Sequence, residues 1–355
     1  MTCQTLTLFL FLTTCFCPSV KGQIPYRVMF YNVENLFDTV DDPLKEDQEF
    51  LPTRNRRWTP KRYYHKLHQI AKVIHAAGEW EAPALIGLCE VENDTVLHHL
   101  LTRTSLRPLD YRYCITNSQD PRGMNVALLY QRDKFRYLGH TGYSVRFTTK
   151  RRRPTRDILH AWGEILSGDT VDILVNHFPS RYGGKKESEK GRADAAQLLK
   201  TVTDSLCRVR KTPWILIMGD FNDEPQDKSI REILQACPLP YSSGQVSFLE
   251  LPPDRLYNLI PQKSKPGVAG THKYQGGWTQ LDQIIINGSF LQPTAPVQRV
   301  PGSCRIFAPD FLFIPDKTWK GVRPKRTFHG FRYEGGYSDH LPVITDFLVY
   351  LSSQP

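Results

Sequence analysis

The sequence predicts a layered α/β or α+β fold, with packed sheets inside and helices outside. Three observations predict it. Short, largely apolar runs recur along the chain; two amphipathic stretches of helical period fall between them; and no Gly/Ser/Pro linker divides the whole. Apolar runs of this length suit strands buried on both faces, which need a layer on either side.

The first strand is expected over residues 27–31, ending in Asn32. A long surface loop, 38–59, leads to a helix that opens with Thr59 as cap and Pro60 at its first position. Tyr63, Leu67, Ile70, Ile74 and Ala77 then recur on one face until Gly78 stops it. Strands follow at 84–89, ending in Glu90, at 125–130, and at 171–175, delivering Asn176 and His177. Residues 183–190 read as a loop, and a second helix runs from about 191 to 209 with Ala195, Leu198, Leu199, Val202 and Leu206 on its buried side. The strand 214–218 delivers Gly219 and Asp220. Two later strands, 283–286 and 341–347, begin just after Asp282 and after the Asp339–His340 pair. The apolar tract 311–314 reads as a short buried strand, with no internal repeat anywhere.

The N-terminus reads as an address. Residues 6–16 form an apolar run too short to span a membrane, followed by Pro18 and then Val20 and Gly22 in the spacing a signal peptidase accepts. This places a signal peptide over 1–22, though no Lys or Arg precedes the run, and one domain over 23–355. The product is expected to be exported, periplasmic or secreted, with lipid anchoring at Cys15 the lesser alternative. The five cysteines beyond the leader, Cys89, Cys114, Cys207, Cys237 and Cys304, lack the spacing of a disulfide scaffold or a zinc finger. Cys89 reads as a core hydrophobe, and an oxidising compartment permits one or two disulfides among the others. A formal charge of +10, concentrated at 54–57 and 150–153, favours polyanionic or phosphorylated partners, although such runs are more often solvated loops.

Asn, Asp, Glu and His at so many strand ends need a common partner, since unpaired buried charge is costly. Carboxylate and amide oxygens without a cysteine cluster select a hard cation. Mg²⁺ is favoured, with Mn²⁺ or Ca²⁺ as substitutes, and such an ion keeps faces free for a phosphate oxygen.

The blocks Tyr31-Asn-Val-Glu-Asn-Leu-Phe37, Leu88-Cys-Glu-Val-Glu-Asn93, Val175-Asn-His-Phe-Pro-Ser-Arg181, Met218-Gly-Asp-Phe-Asn-Asp-Glu224, Leu281-Asp-Gln-Ile-Ile285 and Tyr337-Ser-Asp-His-Leu-Pro342 stand in one order. That order resembles the endonuclease/exonuclease/phosphatase family, over nearly the whole chain beyond the leader. The resemblance implies a four-layer sandwich, two mixed β-sheets face to face with helices outside, and a cleft along one edge. It implies a metal-dependent phosphoester hydrolase in which Glu90 is the principal metal ligand, with Asn32 assisting metal and phosphate, Asp339 a metal-side carboxylate and Glu34 a further acid. His177 corresponds to the histidine that hydrogen-bonds the scissile phosphate, beside Asn176, and Asp220 with Asn222 to the pair that handles the attacking water and a phosphate oxygen. His340 is paired with Asp282, and the general base is assigned to Asp220 and His340 jointly. Arg181, before a Gly-Gly loop, and Arg122 are the candidate phosphate-binding arginines. Where relatives often carry an acid supporting His177, this chain has Asn125. The leading expectation is a monomeric nuclease on DNA or RNA. Alternatives are a phosphatase or phosphodiesterase on small, inositol or lipid phosphates, and a non-catalytic binding module on the same scaffold.

Overall fold

The computed structural model describes residues 22–149, 152–239, 251–261 and 265–351. The expected leader, with Cys15, lies outside them apart from Gly22. Two seven-stranded mixed sheets form the centre. The first contains β1 (Gln23–Leu36), β2 (Leu85–Val91), β3 (Arg112–Ile115), β4 (Asn125–Tyr130), β14 (Val297–Arg299), β15 (Arg305–Ile306) and β20 (Val343–Tyr350). Its order is β14-β20-β1-β2-β4-β3, with β15 also on β20, and β1 and β2 run parallel. The second contains β5 (Phe135–Tyr143), β6 (Ile158–Ile165), β7 (Thr170–His177), β8 (Ile215–Asp220), β9 (Cys237–Pro238), β10 (Leu256–Asn258) and β13 (Asp282–Asn287), in the order β5-β6-β7-β8-β13-β10-β9. Three small hairpins decorate one end: β11 (His272–Tyr274) with β12 (Gly277–Thr279), β16 (Phe313–Pro315) with β17 (Val322–Pro324), and β18 (Phe328–His329) with β19 (Arg332–Tyr333).

Alternation along each strand builds the layers. In β1, Val28 and Phe30 pack between the sheets against Ile173, Val175, Met218 and Ile284, while Met29 and Tyr31 face outward. The sheets come close enough at Gly87 that an added Cβ would lie 2.8 Å from Met218 Cγ, so any other residue there would have to displace that side chain. The outer face of the first sheet is covered by α1 (Pro60–Gly78) and α2 (Asp94–Thr102), that of the second by α3 (Lys185–Val209). Burying one Leu or Ile side chain, as at Leu67, Ile70 and Ile74, contributes about 1.5–3 kcal/mol. The result is the four-layer sandwich.

Three expectations need correction. Helix α3 starts at Lys185 rather than near 191, because its first turns bury polar groups: Arg192 meets Asp223 at 2.7 Å and donates to Ser188 Oγ at 2.6 Å. An apolar-period reading cannot see such a face. The 311–314 tract is no buried strand; a 3₁₀ turn (Asp310–Leu312) leads into the half-exposed β16, and Leu312 is the residue that is buried. All five described cysteines are free, with Cys89, Cys114 and Cys304 buried. The short α2 escaped the sequence reading, although Asn93 caps it by accepting from the Val96 N–H at 3.1 Å.

Candidate active site

Strand register gathers the polar residues at one end of the sandwich. His177 of β7 lies beside Asp220 of β8 in a parallel pair, and Asp220 lies opposite Asp282 of β13 in an antiparallel pair. In the facing sheet, Asn32 of β1 is level with Cys89 of β2, one residue before Glu90. The β1–β2 ladder then slips, and Glu34, Asn35 and Glu90 all adopt left-handed backbone, with φ of 51°, 51° and 63°. Asn222 does the same at φ 50°. The Cβ crowds the backbone carbonyl in this region, a cost that Asn bears better than Glu, so Glu34 and Glu90 above all mark stored strain around the site.

Asn32 ties the two sheets together. Its Nδ2 donates to Asp220 Oδ2 at 3.0 Å and to Glu90 Oε1 at 3.3 Å, and its Oδ1 accepts the Glu34 N–H at 2.9 Å. Glu90 Oε2 accepts from the Asn35 N–H at 2.8 Å. Asp220 Oδ1 accepts from the Asn222 N–H at 2.9 Å, while Oδ2 stands 3.6 Å from His177 Nε2 and 3.8 Å from His340 Nε2. Asp282 Oδ2 holds His340 Nδ1 at 2.7 Å, and its Oδ1 is buried without a hydrogen-bond partner. The pair is braced by residues the sequence reading did not single out. Thr271 Oγ1 accepts from the Asp282 N–H at 3.2 Å, and Ser338 Oγ accepts from the His340 N–H at 3.1 Å while donating to Asn32 O.

Electrostatics separate the members. Burial pushes Asp220 up to about 6, with the Asp282 charge adding and His340 opposing. Burial opposes protonation of His340, but Asp282 and Asp220 outweigh it and hold the imidazole well above its usual value. His177 goes the other way: burial, then the nearby Arg156 and Arg122 cations, hold it well below. Its Nδ1 is buried without a hydrogen-bond partner, and Asn125 bonds instead to Thr116, Ser118 and the backbone of Glu92 and Gly123. The acid expected behind His177 has no substitute in Asn125.

On the far side of His340 lies Asp339, within reach of His272 and His340; these three, like Asp220, Asp282 and His340, bring ligand atoms within 4.8 Å of one another. Asp339 Oδ2 meets Arg326 Nη2 at 2.8 Å; burial would raise this acid, but Arg326 and His340 pull it down to about 2. Glu34 lines a cavity together with Asp339. Burial first, and the Asp339 charge second, raise Glu34 to about 7, with Lys66 offsetting part. Glu90 and Glu34 fall outside both three-residue clusters: Glu90 stands with Asn32, and Glu34 with Asp339, so the expected metal set is brought together as two oxygen-bearing pairs and not as one ligand sphere. A hard cation beside either pair would favour the ionised carboxylates.

Three expected phosphate binders are not brought into this cluster. Asn176 Nδ2 donates to Met218 O at 2.9 Å, clamping β7 to β8 across Gly219, where an added Cβ would lie 2.7 Å from that nitrogen. Arg181 donates to Asn222 O at 2.7 Å and turns its fork toward Asp227. Arg122 is half-exposed beside Asp120, one step out from the buried Arg156, which donates to Phe178 O at 2.7 Å. Asn222 supports the rim, its Nδ2 donating to the same carbonyl at 3.0 Å. Arg156, His272 and Thr271 carry no signal in the sequence beyond their residue types; only the fold places them here.

Set against known proteins, the model described as the Endonuclease/Exonuclease/phosphatase family matches residues 27–349. Among solved structures, a protein of that family from Bacteroides thetaiotaomicron is similar at 15% identity and TM-score 0.56, over 93% of this chain and 100% of that one. A mannosyl-6-phosphatase of the same organism gives 15% and 0.54, over 92% and 100%. D. rerio TDP2 complexed with a single-strand DNA product gives 13% and 0.50, over 91% and 98%. No curated protein matches. At these identities the likeness is one of fold.

Proposed function

The chain belongs to the endonuclease/exonuclease/phosphatase family and is a phosphoester hydrolase; from that membership we propose that it is a Mg²⁺-dependent nuclease acting on DNA or RNA. One observation carries the choice of a polymer. Two cavities near the acid–histidine cluster carry more cations than acids. One is lined by Arg122, Arg152, Arg153 and Arg156, the last paired with Asp120; the other, which includes Asp339, is lined by Lys317, Arg323, Arg326 and Arg332, of which Arg323 and Arg326 are paired with Glu334 and Asp339. A chain carrying regularly spaced phosphates can occupy both while its central ester lies between them. Read as an exported monomer, the protein meets such polymers outside the cytoplasm.

Glu90 and Asn32, with Asp339 as a further carboxylate, would hold a hard ion, which would supply positive charge to the non-bridging phosphate oxygens. The chain's own groups do the rest. Asp220, ionised at neutral pH yet with a raised proton affinity, takes the proton of the attacking water. It is aimed by Asn32 Nδ2 and the Asn222 N–H. His340, kept protonated by Asp282 and Asp220, presents Nε2 to a phosphate oxygen and stabilises charge as it builds there. His177 is held neutral and can donate one hydrogen bond from Nε2.

Incubation with plasmid DNA and single-stranded RNA tests the reading: Mg²⁺-dependent products that vanish with EDTA are expected. Hydrolysis of small phosphate esters alone removes the nuclease reading.

A further inference from the structure

The larger of the two basic cavities, about 550 Å³, is shaped by the three hairpins rather than by the sheets. Its construction is specific. The side chain of Lys273 on β11 is almost fully buried and donates to Asp316 Oδ2 at 2.8 Å and to the carbonyls of Lys320 and Val322, stapling the β11–β12 hairpin onto the β16–β17 hairpin. The other oxygen of Asp316 accepts from the N–H groups of Thr318 and Trp319 at 3.2 and 3.0 Å, folding the loop that carries the Trp319 ring. On the opposing turn, Gln275 and Gly276 take left-handed backbone, and an added Cβ at Gly276 would sit 3.2 Å from Trp319, so glycine lets the turn approach the indole.

This scaffold holds two large rings in water. Trp319 is 55% exposed and Tyr274 66%, although the backbone under each is fixed by buried polar contacts. Cations line the same cavity: Arg332 and Lys317 are exposed, while Arg323 is paired with Glu334 and Arg326 reaches back to Asp339. Asp339 thus belongs both to the catalytic cluster and to this cavity. Planar rings beside fixed cations are the means by which an unpaired base and its phosphate are held together. The volume falls within the range of small-molecule sites, and a base still stacked in a duplex cannot enter.

We infer that this cavity receives the unpaired nucleotide next to the scissile phosphate, stacked on Trp319 or Tyr274, so that the enzyme prefers single-stranded over duplex nucleic acid. The inference rests on the nuclease reading and names its substrate class. The full chain is tested on a single-stranded oligonucleotide and on the duplex of the same sequence, with binding of a fluorescein-labelled oligothymidylate followed by anisotropy in EDTA. The parent protein should favour the single strand at least ~10-fold. Trp319→Ala and Tyr274→Ala should each weaken oligothymidylate binding about tenfold, the scale of losing one stacked base, and push the preference toward unity. Nucleic acid cleavage with no strand preference, or with a preference and affinity that both variants retain, overturns the inference and leaves the nuclease reading standing. No cleavage of either polymer by the parent removes both. Hydrolysis of a hexose 6-phosphate that depends on Trp319, without oligonucleotide binding, assigns the cavity to a sugar and overturns it as well.

Discussion

Two buried histidine–aspartate pairs of nearly equal length stand in the second sheet or against it, and only one is built for chemistry. His340 Nδ1 lies 2.7 Å from Asp282, and His160 Nε2 lies 2.8 Å from Asp172. Asp172 also receives the Arg210 fork at 2.8 and 2.7 Å, so its charge is neutralised where it stands. Burial would raise Asp172, yet the His160 and Arg210 hydrogen bonds hold it below the usual carboxylate range. The His160 ring is stacked on Tyr143 and tilted against Trp162. Asp282 has no such cation: one oxygen holds His340 and the other has no hydrogen-bond partner, leaving its charge to act on the ring. The free edge of that ring faces Asp220 at 3.8 Å. What separates a catalytic pair from a structural one is therefore the second partner of the carboxylate and what lies across the ring, not the bond between them.

The contrast breaks first if activity does not follow it. His340→Ala and Glu90→Gln should each lower kcat at least ~100-fold on any hydrolysed ester, with the circular dichroism spectrum unchanged. Asp282→Asn should cost less, about tenfold or more, because the ring stays in place but loses the charge behind it; steady-state rates over pH are the check. Arg210→Ala should leave turnover within about twofold while removing about 1–3 kcal/mol from unfolding in urea, since it leaves a buried carboxylate with His160 as its remaining partner. His160→Ala should cost about 1–2 kcal/mol in the same assay, again without a matching loss of rate. The smallest effect is the sharpest. Asp172 has a depressed native value, so its contribution is present above the ordinary carboxylate value near 4 and is lost as pH falls through the depressed one. Acid unfolding followed below pH 4 should therefore set in at higher pH in Arg210→Ala than in the parent.

The layers were legible because apolar runs and helical spacing report burial directly, as at 84–89 and along Tyr63, Leu67 and Ile70. The positions of Glu90, Asp220 and Asp282 at one rim were legible for a related reason: a polar residue at the end of a buried strand must surface at the strand's mouth. Direction was not legible. Asn176 is next to His177 in sequence, yet its amide is drawn across Gly219 to Met218, and Arg181 is captured by Asp227 and the Asn222 carbonyl. Those outcomes depend on neighbours from other strands. His272 reaches the site only because a hairpin bridges back onto His340, and the first turns of α3 stayed hidden because they bury Arg192 and Ser188 where an apolar stripe was expected.

The left-handed backbone at Glu34, Asn35, Glu90 and Asn222 limits how this protein can be made more robust. Glycine relaxes each of these turns, but at Glu34 it would also strand the buried Lys66 and the Thr327 N–H that the carboxylate holds, so a screen for heat tolerance should recover glycine at Asn35, Glu90 or Asn222 before Glu34. The clones that survive longest would be the slowest, since the tension they release is what keeps the oxygens of the mouth in place.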